Sequence, residues 1–178
     1  MALPRAAIRH PDAVRAGLLV AGLSGVAALV AATLATVIRI TVGTTTRLAS
    51  LDTELSGWDR HGPALLVIAG FALVMLIGAF GRASRPAMVA VAVCGAAALV
   101  VALGFDLPHL DDTGQVGRLY DDAAAAARAG FWLEVAGGAL LVVAGLGMLL
   151  ARGSARVDEL SPRDVPGEID QVLAAAGN

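Results

Sequence analysis

Apolar residues along this chain gather into four long blocks divided by polar stretches, rather than recurring at the spacing of a domain that buries one face of each element. The blocks cover 16–38, 63–80, 86–105 and 130–151. A hydrocarbon core of about 30 Å needs roughly 20 helical residues, about 17 to 25 in practice, and each block falls in that window. No segment alternates apolar and polar residues in runs of about ten, as a transmembrane barrel strand would. The pattern predicts an all-α fold, a four-helix transmembrane bundle. An arm over 1–15 precedes a membrane domain over 16–152, whose longer loops are 39–62 and 106–129, and a tail covers 153–178. The first block exceeds the about 7 to 15 apolar residues of a signal peptide and no A-x-A site follows it, so it is expected to persist as a helix.

Composition agrees: 57% of residues are hydrophobic and 16% charged, against about 25% charged in soluble domains. All 13 basic residues are arginine. Arg5, Arg9 and Arg15 lie in the arm, Arg82 and Arg85 in the turn after the second block, and Arg152, Arg156 and Arg163 after the fourth. By the positive-inside rule these segments are cytoplasmic, which predicts a cell-membrane protein of two helical hairpins whose longer loops face outward. The aromatic residues Trp58, Tyr120 and Trp132 then serve as outer interface anchors, where amphipathic rings prefer to sit.

Lipid tails are as apolar as leucine, so spans associate by close packing, and small residues mark the faces that approach. Ala21, Gly25, Ala28, Ala32 and Thr36 form such a stripe in the first block, and Gly130, Gly138 and Gly145 form one in the fourth. Glu134 shares the second stripe. An acidic group within a span is costly and points into the bundle or an aqueous cavity. Its place one turn inside the edge favours a carboxylate that reaches interfacial water or pairs with Arg128 over a proton or cation site.

In the second longer loop, Val116, Leu119, Tyr120, Ala123 and Ala127 recur at helical spacing, predicting a short amphipathic helix over about 115–129, capped by Asp112 or Thr113. The first loop opens on residues that suit either a helix extension or a short strand. The stretch GFDLPHLDDTG, 104–114, ends the third block at Pro108 and sets Asp106 and His109 near water. Glu134, Asp106 and His109 are therefore the candidate ion or proton site. A cation held by Asp106, His109, Asp111 and Asp112 is the sharper alternative, but the D-x-[DN]-x-[DN]-G calcium pattern is absent and no metal is expected. In the tail, Ile169, Val172 and Leu173 share one face of a marginal helix after Pro166.

Several chemistries lack their residues. All three histidines lie at or beyond block ends, so no mid-span pair ligates a haem, and no cofactor is expected. Cys94 is the single cysteine and is expected to pack as a small apolar residue. No Walker loop, H-E-x-x-H, G-x-S-x-G or basic nucleic-acid stripe appears. The sequence thus points to a non-enzymatic membrane protein, a scaffold or accessory or self-assembling subunit. Its partners would be the bilayer and either further copies or other membrane proteins. A small oligomeric channel or a proton- or cation-coupled transporter using Glu134 is the alternative. A lipid-modifying enzyme with Asp106 and His109 as acid and base stands behind both.

Overall fold

A computed structural model describes residues 10–41, 54–119 and 123–160. Among these residues the fold is mostly helical, and four helices are long and apolar enough to cross a membrane: Ala13–Leu34, Ala64–Arg82, Arg85–His109 and Ala129–Gly153. They mark a multi-pass, membrane-embedded protein. The first lies within α1 (His10–Leu34) and the second is α3 (Ala64–Arg82). The third is α4 (Arg85–Val100), continued by a π-helical turn, Val101–Asp106, and a 3₁₀ turn, Leu107–His109. The fourth belongs to α6 (Ala129–Leu160), which runs on well past the expected end of the span. Two short helices, α2 (Gly57–His61) and α5 (Gly114–Leu119), lie between them.

Each span packs against two others: α1 on α3 and α6, and α4 on α3 and α6. Leu29, Leu76, Val91 and Leu141 are buried where they meet, while Val67, Phe71, Ile77, Val93 and Leu150 point outward. Two glycine pairs let helix backbones approach closely. Gly25 of α1 faces Gly137 of α6, and a Cβ on either would lie within 2.9 or 3.0 Å of the other's carbonyl oxygen. Gly95 of α4 faces Gly138 of α6 in the same manner. Of the expected packing residues, Gly25, Ala32, Gly130, Gly138 and Gly145 are buried, whereas Ala21 and Ala28 are half-buried at the edge of the stripe. Gly137 and Gly95 complete the contacts.

The first departure from expectation is β-structure. Helix α1 stops at Leu34, and the last residues of the first block, 36–38, join the opening of the first loop, for which a short strand is one of the two expectations, to form β1 (Thr36–Thr41). TVIRIT is a run of β-branched residues broken only by Arg39, and the branched side chains that crowd a helical turn fit a pleated strand. Strand β1 lies between β2 (Glu54–Ser56) and β3 (Ala124–Ala127), both antiparallel to it, with a bulge between Thr36 and Ile38. Thr36, expected in the packing stripe, instead lies in the sheet with its hydroxyl 3.2 Å from Glu54 Oε2, and Arg39 ion-pairs with Glu54.

The amphipathic helix expected over about 115–129 is corrected as well. Among the described residues of this stretch, Gly114–Leu119 is helical and Ala124–Ala127 pairs with β1. Alanine favours helix locally, but the free edge of β1 satisfies this backbone's hydrogen bonds, and Ala125 and Ala127 then pack on Val37, Ile38 and Phe131. Tyr120, Asp121, Asp122, the proposed tail helix around Ile169, Val172 and Leu173, and residues 42–53 of the first loop lie outside the described residues. Trp58 and Trp132 are exposed, as interface anchors would be.

Candidate functional site at the sheet end of the bundle

Helix α2 begins at Ser56, whose hydroxyl accepts from the Asp59 amide, while the Asp59 carboxylate accepts from the Ser56 amide at 3.0 Å. This reciprocal capping box satisfies amides that a five-residue helix otherwise leaves open. The Ser56 hydroxyl also donates to Asp59 Oδ2 at 2.5 Å, and this bond, with that from the Ser56 amide, holds the Asp59 carboxyl below the usual aspartate range. Gly57 seats the helix on the end of α1: its amide donates to the Ala35 carbonyl at 3.2 Å, and a Cβ there would lie 3.0 Å from Thr33 Cα. Gly62, at φ 55°, turns the chain into α3. Arg60 and His61 are thereby fixed above the bundle.

Asp106 reaches the same point from below. The Leu107 amide bonds to the Ala102 carbonyl, five residues back, which is the π-helical pattern. Pro108 has no amide hydrogen, so Gly104 loses its ordinary α-helical donor and the wider turn is tolerated. One extra residue in a turn rotates everything after it by about 100°. Phe105 is consequently exposed while Asp106 is wholly buried, at 0%.

The two elements meet through charge. Arg60 Nε–H donates to Asp106 Oδ1 at 2.8 Å, and His61 Nε2 lies 2.8 Å from Asp106 Oδ2. Glu134 of α6 completes the group, its Oε1 3.6 Å from His61 Nε2. Its exposure is 0%, against 12% for the His61 side chain and 18% for Arg60. Among the described residues, neither Glu134 oxygen has a hydrogen-bond partner. The expected pairing with Arg128 or with water is therefore corrected: Arg128 is exposed, its backbone amide bonded to the Val37 carbonyl, and the depth of Glu134 along the helix is overridden by the sheet and α2 above it.

Of the three expected site residues, Asp106 and Glu134 come together. His109 is exposed, with Nδ1 2.7 Å from the Phe105 carbonyl; a carbonyl only accepts, so the proton sits on Nδ1. Asp106 takes its imidazole from His61 instead. Arg60, His61, Val101, Phe105, Asp106 and His109 line an open cleft of about 450 Å³ beside the cluster. Arg60 and His61 went unrecognised in the sequence because 45 or 46 residues separate them from Asp106. A usable signal was polar residues at the ends of two adjacent spans, Asp-Arg-His before Pro63 and Asp106 before Pro108, at the same membrane level. No protein family, curated protein or solved structure matches the chain.

Substituting Ser56 with alanine should loosen α2 without touching the cluster directly. Loss of an N-cap costs about 0.5–2 kcal/mol. Hydrogen exchange should report faster exchange at 57–61 with the spans unchanged; equal protection in both proteins would mean that contacts with α1 alone hold α2.

Proposed function

We propose that this is a multi-pass cell-membrane protein that binds a cation at Glu134, as a small channel or coupled transporter assembled from several copies. The observation that carries the reading is Glu134 itself, a wholly buried carboxylate without a hydrogen-bond donor, facing a second buried carboxylate. Burying an uncompensated charge is costly, and a cation offsets that cost. Ionisable groups within spans characteristically mark ion pathways. Two carboxylates against one guanidinium leave the site a surplus of negative charge, and the cleft lined by Arg60, His61 and Asp106 is a route of entry.

The arginine distribution supplies the orientation. With the arm, the Arg82–Arg85 turn and the tail cytoplasmic, the spans form two hairpins and the sheet end faces outward, so the cleft opens to the exterior. The chain is read as non-enzymatic. Liposome flux tests the proposal: wild-type protein should pass monovalent or divalent cations, and Glu134→Gln should fall to the leakage of empty vesicles. Equal flux from both proteins would remove Glu134 from any pathway.

A second reading, a scaffold or accessory subunit, is favoured by one observation. An apolar groove of about 750 Å³ runs between α3 and α4 past Val67, Phe71, Val89 and Val93 on the lipid-facing side, where another span could lie. Gentle extraction followed by mass spectrometry separates the two, since recurrent co-purifying subunits support the accessory role.

A further inference from the structure

We infer that His61, Asp106 and Glu134 form a three-ligand site for a divalent transition metal, with zinc the best fit. The inference rests on the cation-binding reading and names the ion. One ligand atom from each residue lies within 4.8 Å of the other two. Two of the separations are 2.8 Å, His61 to Asp106, and 3.6 Å, His61 to Glu134. Bonds of about 2.0–2.2 Å in tetrahedral array put neighbouring ligand atoms roughly 3.3–3.6 Å apart. Small side-chain movements bring the three to that spacing.

An acidic cluster alone would not identify a ligand; the unpartnered Glu134, fully buried and aimed at the same point, does. The donor set chooses among ions. Calcium takes about 6–8 oxygens and magnesium keeps several waters, whereas one imidazole and two carboxylates suit zinc. Arg60 occupies Asp106 Oδ1 and so leaves Oδ2 toward His61 and Glu134, the outer-shell arrangement that orients a ligating carboxylate. The two carboxylates match the two charges of the metal, and with Arg60 counted the occupied site carries one net positive charge. A metal takes His61 through an unprotonated Nε2, with the ring hydrogen on Nδ1. A fourth position remains for water or for exchange of the ion. Each ligand comes from a different element, namely α2, the π turn and α6, so the metal would also tie α2 to the two spans.

The test uses full-length protein in nanodiscs, titrated with zinc chloride by calorimetry. One saturable event per chain is expected, with no comparable event for calcium or magnesium. His61→Gln and Glu134→Gln should each weaken it by more than about 100-fold, since even outer-shell partners cost about 10- to 100-fold. Cobalt(II) added to the wild-type chain should give the intense visible bands of a tetrahedral site with nitrogen and oxygen ligands, a readout that stands if a variant fails to fold. Absence of saturable zinc heat, an octahedral cobalt spectrum, or binding lost in His109→Gln yet kept in His61→Gln would each overturn the inference. Cation flux that depends on Glu134 without zinc binding would sink the metal site and leave the cation reading standing. Zinc binding without Glu134-dependent flux would leave the metal site standing and remove the channel or transporter role.

Discussion

Replacing Arg60 with alanine should cost about 3–5 kcal/mol, because it strips a buried carboxylate of its guanidinium partner. Asp106 is wholly buried and Glu134 lies beside it, so the variant keeps two carboxylates with His61 as the nearest charge-compensating group. Removing Asp106 as well should recover part of the loss: Arg60→Ala combined with Asp106→Asn should be more stable than Arg60→Ala alone. The midpoints of SDS unfolding for wild type, both single variants and the double variant give the coupling directly. A loss below about 1 kcal/mol would place the pair with screened surface ion pairs and imply water in the cleft around Asp106.

The second large effect belongs to the contact between α4 and α6. A Cβ at Gly95 would stand 2.6 Å from the Gly138 carbonyl oxygen and 2.6 Å from the Val142 amide nitrogen. Both are backbone atoms that no rotamer change can move, so Gly95→Ala must push the helices apart. Overpacking costs about 1–3 kcal/mol, occasionally more, and a bilayer offers no hydrophobic gain between helices to compensate. Gly70, in α3, has nothing within 4 Å of the same added atom, so Gly70→Ala should match wild type. Unfolding in SDS and thermal melting in detergent report both variants; equal midpoints would mean that α4 and α6 separate freely. Gly145, whose Cβ would lie 2.6 Å from the Ala92 amide nitrogen, should behave like Gly95.

Much of the scaffold is legible in the sequence. Block length and the lack of charge mark the four spans, and Gly25, Gly138 and Gly145 mark faces that do pack. The site was legible in half. Asp106 and Glu134 stand out because acidic residues at span ends are rare enough to notice. Arg60 and His61 do not, because arginine and histidine at a loop edge are ordinary and nothing local ties them to Asp106. His109 was singled out for its nearness to Asp106 along the chain, yet three residues of separation across a π turn and a 3₁₀ turn carry it to the surface.

Apolar block length alone determined that this protein has four helices fit for a bilayer, because solvation by lipid depends on composition summed over about 20 residues. Only the tertiary structure decided the end of the bundle. The strand over Thr36–Thr41 exists because two distant segments supply its hydrogen bonds. Asp106 faces inward because a π turn shifts its phase, and Glu134 is dry because the sheet and α2 cover it. Each depends on partners tens of residues away in the chain, and pairing across such distances is settled by packing and hydrogen-bond satisfaction rather than by local preference.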